Sequence, residues 1–517
     1  MICAYRTDDI RAAEEPLLAA GVPLMRHAAR AVAYVVIREL KERHEQASGR
    51  RVVALVGSGN NGGDALYALT HLRTRGVHCT ALLAFPDAAH SEGLQAARTA
   101  GVNIDEAAPD TVREQVGKAD IVLDALLGIG ARGALREPLA GIVATTNEAV
   151  ATQKKRGANA PICIAVDIPT GISVDDGTLP GEAFRADVTV TMGAAKPGLF
   201  LDPARPYAGD VRVVDLNFPL PDEPALIALE DSDIAQLWRV PGVNSHKYAR
   251  GVVGMMTGSP TYPGAAILSV GGALGAGAGM VRFAGPQRLA RMVLGAHPEI
   301  VTTRGRVQAW VLGSGVDMDD EEAAAEVARR LHESMSENRP VVLDAGAISL
   351  AATTELRSCV VLTPHAGEAA QLLSALAETS TREAVEAAPA RAARLIATLT
   401  GATVLLKGAI DVACAPDGPL YVATGAPAWR ASAGAGDVLA GLLGSLLAMW
   451  GDELADLGDG HGIPVRLAAA AAYVHGRAAA LASGVQPTPS GKTRGGKPIS
   501  ASDIAAAIPD AVRDILS

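Results

Sequence analysis

Aromatic residues are scarce in this chain of 517 residues, with five Phe, eight Tyr and four Trp making up 3% of it. Its core must therefore be built from Ala, Val, Leu and Ile. Hydrophobic residues still reach 49% and charged residues 20%, a composition that excludes a disordered chain. Cysteines are also few: Cys3, Cys79, Cys163, Cys359 and Cys414. Their odd number and wide spacing exclude a disulfide framework and a zinc-ligand pattern, and they point to a reducing cytoplasm. Excess basic charge is absent, the formal net charge being −10. A nucleic-acid partner, which would call for a basic face, is not expected. Small anions remain open, because backbone amides bind phosphate whatever the global charge. The opening segment MICAYRTDDIRAAEEP carries acids where a secretory leader would be basic and then apolar. No charge occurs between Arg250 and Arg282, but nine glycines and two prolines interrupt that stretch. It is expected to form strand, loop and buried helix, not a membrane span.

A chain of this length predicts two or three domains. RVVALVGSG (51–59), VHCTALLAF, ADIVLDALLG and PICIAVDIPTG each read as a strand running into a turn. Helical stretches such as 90–100 and 137–151 lie between them. This alternation predicts a parallel sheet with helices on both faces. Residues 215–235 hold three prolines and several acids and are expected to be the linker. The alternation then restarts with GVVGMMTGS, AWVLGSG, PVVLDAG, CVVLTPHAGE and ATVLLKGAID. Helices are expected from Ala433 to Trp450 and over 466–483, and a mobile surface loop over 486–498. In such sheets ligands bind beyond the carboxyl ends of the strands, where each motif below falls.

In the first half, Gly57-Ser58-Gly59-Asn60-Asn61-Gly62-Gly63-Asp64 follows a strand and opens a helix. Glycines allow a tight turn and close ligand approach, and free helix-start amides favour phosphate. A plain strand-to-helix turn would also use Gly and Asn, but the whole octet is far more specific. It resembles the GxGNNGGDG loop of the NAD(P)H-hydrate epimerase family. Three later segments follow in the family's order: Asp124 to Gly130, Ala165 to Gly171, and Thr191 to Gly198. The resemblance covers roughly residues 5–218 and implies a Rossmann-like α/β/α sandwich over 1–220. It implies that Asn60, Asn61, Gly62, Gly63 and Asp64 hold hydrated NADH or NADPH, together with Gly128, Ile129, Gly130, Ala131, Arg132, Gly133, Ala134 and Asp167. It further implies a potassium site at Asn61, Asp124 and Thr170, an oxygen-only set that suits a hard cation. Asp167 and Lys196 are the acid–base pair these motifs offer, although a lysine near a turn is as readily a solvated surface group. Thr170 replaces the family's usual Ser and keeps the hydroxyl. Ala65 replaces a usual Gly, which predicts a stiffer loop.

In the second half, Ala433-Gly434-Ala435-Gly436-Asp437 runs into a helix of small and aliphatic residues. Its first amides can face a phosphate, and Asp437 can serve as a base or merely complement the helix dipole. The run resembles the GxGD anion hole of ribokinase-like proteins and, more narrowly, the ADP/ATP-dependent NAD(P)H-hydrate dehydratase family. Ser245-His246-Lys247, Gly258-Ser259 with Tyr262 to Ala266, Thr363-Pro-His-Ala-Gly-Glu368 and Leu406 to Asp411 support the narrower family. This resemblance implies a ribokinase-like α/β domain over 221–517. Ala265, Gly315, His365 and Asp437 would bind the hydrate; Lys407, Gly408, Ala409, Ile410, Asp411 and Gly436 would bind the adenine nucleotide. The implied reaction phosphorylates the C6 hydroxyl, with Asp437 as base, and then expels phosphate. Magnesium on the phosphates is implied too, with Glu368 a candidate ligand and equally an ordinary helix acid. His365 could instead be a satisfied core histidine, and Lys407 a solvated strand-end lysine.

Departures stand in the second half: Ala433 and Ala435 in the Gly-rich run, Asp317 where the family's GPGLG ends in Gly, and His246-Lys247-Tyr248-Ala249-Arg250-Gly251 where the family reads HKGxFG. An acid at position 317 would repel a phosphate without a cation between them. The bifunctional reading thus expects a homo-oligomeric, cytoplasmic enzyme that epimerises R and S hydrates and dehydrates the S form. Its rivals are a ribokinase-like small-molecule kinase, which leaves TPHAGE and GNNGGD unexplained, and a nucleotide-binding protein with a degenerate second site.

Overall fold

The computed structural model describes residues 1–156, 160–457, 462–485 and 495–517. They divide into two compact units, Cys3–Pro224 and Met1–Ile2 with Ala225–Ser517. The linker expected over 215–235 therefore ends earlier than its composition suggested. All three of its prolines precede Ala225, whereas Leu226–Ala228 is already a strand and Asp231–Leu237 a helix opened by a Glu230/Asp233 capping box.

The first unit holds seven strands: β1 (Arg51–Val56), β2 (His78–Leu83), β3 (Asn103–Glu106), β4 (Ile121–Ala125), β5 (Ile162–Val166), β6 (Val188–Met192) and β7 (Asp210–Val214). Every pairing is parallel and the order is β3-β2-β1-β4-β5-β6-β7. The alternation of side chains explains the continuous apolar runs. Val52, Ala54 and Val56 pack into one core, and Val53 and Leu55 into the other; Ile121 and Leu123 oppose Val122 in the same way. Both faces are covered, so no position can be polar without a partner. Helices α1 (Thr7–Ala19), α2 (Leu24–His44), α3 (Asn60–Arg73) and α4 (Leu139–Lys155) belong to this unit. Chain direction across the sheet reverses between β1 and β4, a switch point that leaves a crevice at their carboxyl ends.

In the second unit residues 225–517 supply nine strands: β8 (Leu226–Ala228), β9 (Val252–Met256), β10 (Met280–Phe283), β11 (Ala309–Leu312), β12 (Val341–Leu343), β13 (Val360–Leu362), β14 (Thr403–Leu406), β15 (Asp411–Cys414) and β16 (Leu420–Ala423). Their order is β8-β16-β15-β14-β13-β12-β11-β9-β10. Strands β9 to β14 are mutually parallel, and β15 runs against both β14 and β16. The main helices are α5 (Pro263–Gly275), α6 (Ala366–Ala375), α7 (Ala435–Met449), α8 (Ile463–Ser483) and α9 (Ala501–Leu516). The charge-free stretch after Arg250 forms β9, α5 and β10, as its breakers predict. Among the described residues no single helix is long and apolar enough to cross a membrane; α7 and Gly451–Leu457 pass only as a pair bent by 65°. Helix α7 is buried along nearly its whole length, which accounts for its apolarity.

Of the loop expected over 486–498, residues 486–494 lie outside the described residues. The remainder is anchored and not free. The Trp429 indole donates to the Gly495 carbonyl at 2.9 Å, and the Lys497 amide donates to Ser483 at 2.9 Å.

Candidate active sites

The first site lies at the β1/β4 switch point. Helix α3 begins at Asn60, directly after the turn. A Cβ at Gly62 would stand 2.3 Å from the Gly57 carbonyl oxygen, so this approach tolerates only glycine. Ala65 sits inside α3, fully buried in the core, so it packs the helix and does not stiffen the loop as expected from its replacement of Gly.

Asp124, at the end of β4, is wholly buried. It accepts the Thr170 amide and hydroxyl, both at 2.7 Å, and the Leu126 amide at 3.3 Å. Burial outweighs these bonds and pushes its carboxyl up to about 6. Asn61 donates to the Leu127 carbonyl at 2.9 Å, while the Leu127 amide donates to the Thr170 hydroxyl at 3.2 Å. Asn61, Asp124 and Thr170 are thus bound into one cluster. The Asn61 side-chain oxygen is buried and has no hydrogen-bond partner among the described residues, an orphan acceptor that fits a cation.

Asp167 follows β5 with a left-handed backbone, φ +69°. Such a conformation costs an aspartate roughly 1–3 kcal/mol and is sustained only by its surroundings. Lys196 supplies them. It is 1% exposed and donates to Asp167 at 2.5 Å, Thr191 at 2.8 Å and the Met192 carbonyl at 3.0 Å. The surface-lysine alternative is therefore excluded by burial. Asp64 and Glu14 complete the cluster. Burial, then Asp167, then Glu14 hold the Asp64 carboxyl well above the usual range; burial and Asp167 raise Glu14. Glu14, from α1, escaped sequence reasoning because it lies far from the glycine-rich motifs. Gly128 touches this centre, since a Cβ there would lie 3.4 Å from Asn61 and 3.9 Å from Asp167. Residues Ile129 to Ala134 form the half-exposed to exposed loop beyond it.

The second site gathers at the ends of β11 to β14. Lys407 donates to Asp344 at 2.9 Å and stands 3.8 Å from Glu368. Asp344, 3% exposed, also accepts Ser314 at 2.8 Å and Thr363 at 2.7 Å. These partners outweigh burial and hold Asp344 below the usual carboxylate range, while Asp344 and Glu368 hold Lys407 above its own. Lys407 is thus a fixed buried cation and not a solvated lysine. Asp344 was missed as a site residue, although it ends PVVLDAG at the same sheet edge as the other motifs.

Asp437 lies in the first turn of α7. Gly434 before it has φ +89°, and a Cβ there would meet Leu268 at 2.4 Å, so glycine is required. Burial, then Asp344, push the Asp437 carboxyl up to about 6, against the pull of Lys407. A Cβ on Gly436 would lie 3.4 Å from the Lys407 ammonium, which places the turn's amides beside that cation. Ala265 and Gly315 touch, a Cβ on the latter falling 2.4 Å from the former's methyl.

His365 caps α6. Its Nδ1 accepts the Gly367 and Glu368 amides at 3.0 and 3.1 Å. The side chain is 60% exposed, and its Nε2 stands 3.7 Å from a Glu368 carboxylate oxygen. Glu368 returns the cap by accepting the His365 amide at 2.8 Å, so one oxygen already has a structural task. Asp411 is 2% exposed, with one oxygen accepting the Gly408 amide at 3.0 Å and both engaging Arg430. It braces the loop from within, as Arg430 does by donating to the Gly408 carbonyl at 2.7 Å. Ile410 is buried too, which leaves Gly408 and Ala409 as the exposed part of that loop. Of the departures, Ala435 is buried in the core and Ala433 is exposed. Asp317 is exposed and accepts the Asp319 amide at 3.1 Å. Its charge is solvated, which weakens the repulsion expected of it.

Two α/β domains, each with an ion-paired polar cluster and a glycine-rich turn where its parallel strands end, define a two-site enzyme of the nucleotide-binding α/β class. Residues 253–490 match the family described as NAD(P)H-hydrate dehydratase, and residues 21–198 the YjeF-related protein N-terminus. The bifunctional NAD(P)H-hydrate repair enzyme of Mycobacterium leprae is 40% identical over 493 residues, covering 93% of this chain and 94% of that protein. The protein of the same description from Mycobacterium tuberculosis H37Rv is 40% identical over 457 residues, covering 86% and 89%. The ADP/ATP-dependent NAD(P)H-hydrate dehydratase of Bacillus subtilis, solved with ATP and Mg2+, aligns with 55% of this chain and 97% of that one, at TM-score 0.45 and 21% identity. The chain belongs to the bifunctional NAD(P)H-hydrate repair enzyme family.

Proposed function

We propose that the first domain interconverts the R and S hydrates of NADH and NADPH, and that the second dehydrates the S form at the expense of ADP or ATP, releasing AMP or ADP and phosphate. The observation that carries the second half is Asp437, held up to about 6 at the mouth of a glycine-rich turn beside the Lys407 cation. Hydroxide is a poor leaving group and phosphate a good one. Asp437 takes the proton of the C6 hydroxyl as its oxygen meets the terminal phosphorus. The Gly434 to Gly436 amides and Lys407 stabilise charge on the transferred group. Expulsion of phosphate from C6 and loss of a C5 proton restore the dihydropyridine ring. Magnesium supplies charge neutralisation on the nucleotide's phosphates when bound. Among the described residues no three His, Cys, Asp or Glu side chains converge to hold a metal.

In the first domain Asp167 and Lys196 hold and move the proton at the C6 substituent, and the Asn60 to Asp64 turn with the 128–134 loop binds the hydrate. Potassium at Asn61, Asp124 and Thr170 supplies a fixed positive charge when bound. Replacing Thr170 by Val removes one of its oxygens. The epimerase rate is then expected to fall about tenfold, a typical loss for a disturbed metal shell, and to lose its dependence on KCl at constant ionic strength. Thr170→Ser should restore that dependence. A Val variant with the parent's KCl response would remove potassium from this cluster.

A cytoplasmic setting fits the buried thiols of Cys79 and Cys414, which desolvation pushes up to about 12 and so keeps protonated and inert. The whole reading is tested by incubating the protein with hydrated NADH, Mg2+ and either ADP or ATP. Recovery of NADH absorbance with stoichiometric phosphate is expected. Interconversion of R and S hydrates without recovery would leave the epimerase alone and make the second site degenerate.

A further inference from the structure

Helix α8 is apolar where it crosses the core: Ala470, Ala471, Ala472, Val474, Ala478 and Ala479 are all buried. His475 stands among them, 2% exposed. Among the described residues neither ring nitrogen closes a hydrogen bond of normal geometry, although the Ala435 main chain is its polar neighbour. An unsatisfied buried polar group is destabilising, and an aliphatic residue would fill the position without that cost. Two features make the place special. Ala435 is the first residue of α7, inside the Gly434–Asp437 turn. Helix α8 also packs on the short turn Ala428–Arg430, whose Arg430 grips Asp411 and Gly408. His475 therefore sits behind both loops read as phosphate-handling.

We infer that His475 is a positioning residue for phosphoryl transfer, setting the backbone of the Gly434–Asp437 turn from the core side and tying it to the Arg430-braced loop that begins at Lys407. Burial, then Arg430, drive its imidazole down to about 3, and Lys407 adds to the effect. The ring is thus neutral under working conditions, with one nitrogen to donate and one to accept. Neutrality suits the place, because a second cation behind Arg430 and Lys407 would compete for the phosphates from the wrong side. The Ala435 main chain is the polar group of the turn that the ring faces. The inference rests on the dehydratase reading of this site.

The test uses the full chain with hydrated NADH and ATP or ADP. The variants are His475→Phe, which fills the space without nitrogens, and His475→Gln, which keeps a donor and an acceptor. Thermal unfolding is measured alongside kcat and KM. The Phe variant is expected to unfold near the parent's temperature, and its epimerase rate should be unchanged. Its dehydratase kcat should fall at least about tenfold, with KM for the hydrate within about twofold, because a misplaced anion hole is felt in the transition state. The Gln variant should recover a measurable part of kcat. If folded Phe and Gln variants both keep the parent's kcat, His475 is only packing and the inference is overturned. Should the Phe variant fail to fold, His475→Leu, which also lacks the nitrogens, decides: parental kcat in the folded Leu variant overturns the inference, and a lowered kcat at unchanged unfolding temperature supports it. A parent chain without nucleotide-dependent recovery would instead overturn the dehydratase reading itself.

Discussion

Replacing Asp437 by alanine should lower nucleotide-dependent recovery of NADH by about 10²–10⁴-fold, the usual worth of a positioned general base, while R and S hydrates still interconvert at the parent's rate. The loss should fall on kcat more than on KM, since proton acceptance matters only as the phosphoryl group transfers. In the parent, kcat/KM should halve near pH 6 and drop about tenfold per unit below it, because protonated Asp437 cannot accept the hydroxyl proton. The same shift predicts stability in the opposite sense. A carboxyl raised in the folded state binds its proton more tightly there than in the unfolded chain. Its ionisation therefore opposes folding above about pH 6, and that cost fades as pH falls through 6 toward the ordinary range. Asp437→Asn should accordingly raise the unfolding temperature of the second domain at pH 7 and leave it unchanged near pH 4. A variant both inactive and less stable at pH 7 would show that Asp437 is a structural partner and not a strained base.

Lys196→Met is the second large effect. Lys196 is the buried partner of Asp167, and Asp64 and Glu14 lie in the same field. Its removal leaves Asp167 without its cation beside two further carboxyls. Breaking one partner of a buried pair costs about 3–5 kcal/mol, to be read from chemical denaturation as early unfolding of the first domain. Epimerisation should fall by at least about 10², while S hydrate supplied directly is still dehydrated. Asp167→Asn keeps an acceptor oxygen beside Lys196 but leaves that buried ammonium without its anion. It should therefore lose the epimerase rate and lower the stability of the first domain as well. Full epimerisation in the Asn variant would shift the proton transfer from Asp167 to another group, with Asp64 the nearest candidate by environment.

The candidate residues legible in the sequence share one property: their chemistry is local. Gly57 to Asp64 and Ala433 to Asp437 are contiguous, and the backbone they require can be argued from residue types alone. The strands were legible for a similar reason. A parallel sheet covered on both faces turns each strand into an unbroken apolar run, and the turn after it into a polar one. The linker was less legible, because prolines and acids at 219–235 look alike whether they join domains or begin one. Only the pairing of Leu226–Ala228 with Leu420–Val422 distinguishes them.

The sequence by itself determined the two-domain α/β plan and the two glycine-rich turns, and it pointed to Asp124, Asp167, Thr170, Lys407 and Asp437. Tertiary structure alone decided what those groups are. It buried Lys196 against Asp167 and made it a fixed cation instead of a surface lysine. It brought Asp344 under Lys407 from a strand 63 residues away in the chain. It turned Asp411 inward to Arg430, gave His365 to a helix cap, and set Glu14 and His475 behind the two sites. The physical reason is common to all of them. Desolvation and the field of distant charges act through space, and a group's protonation and availability depend on neighbours that the order of residues does not reveal.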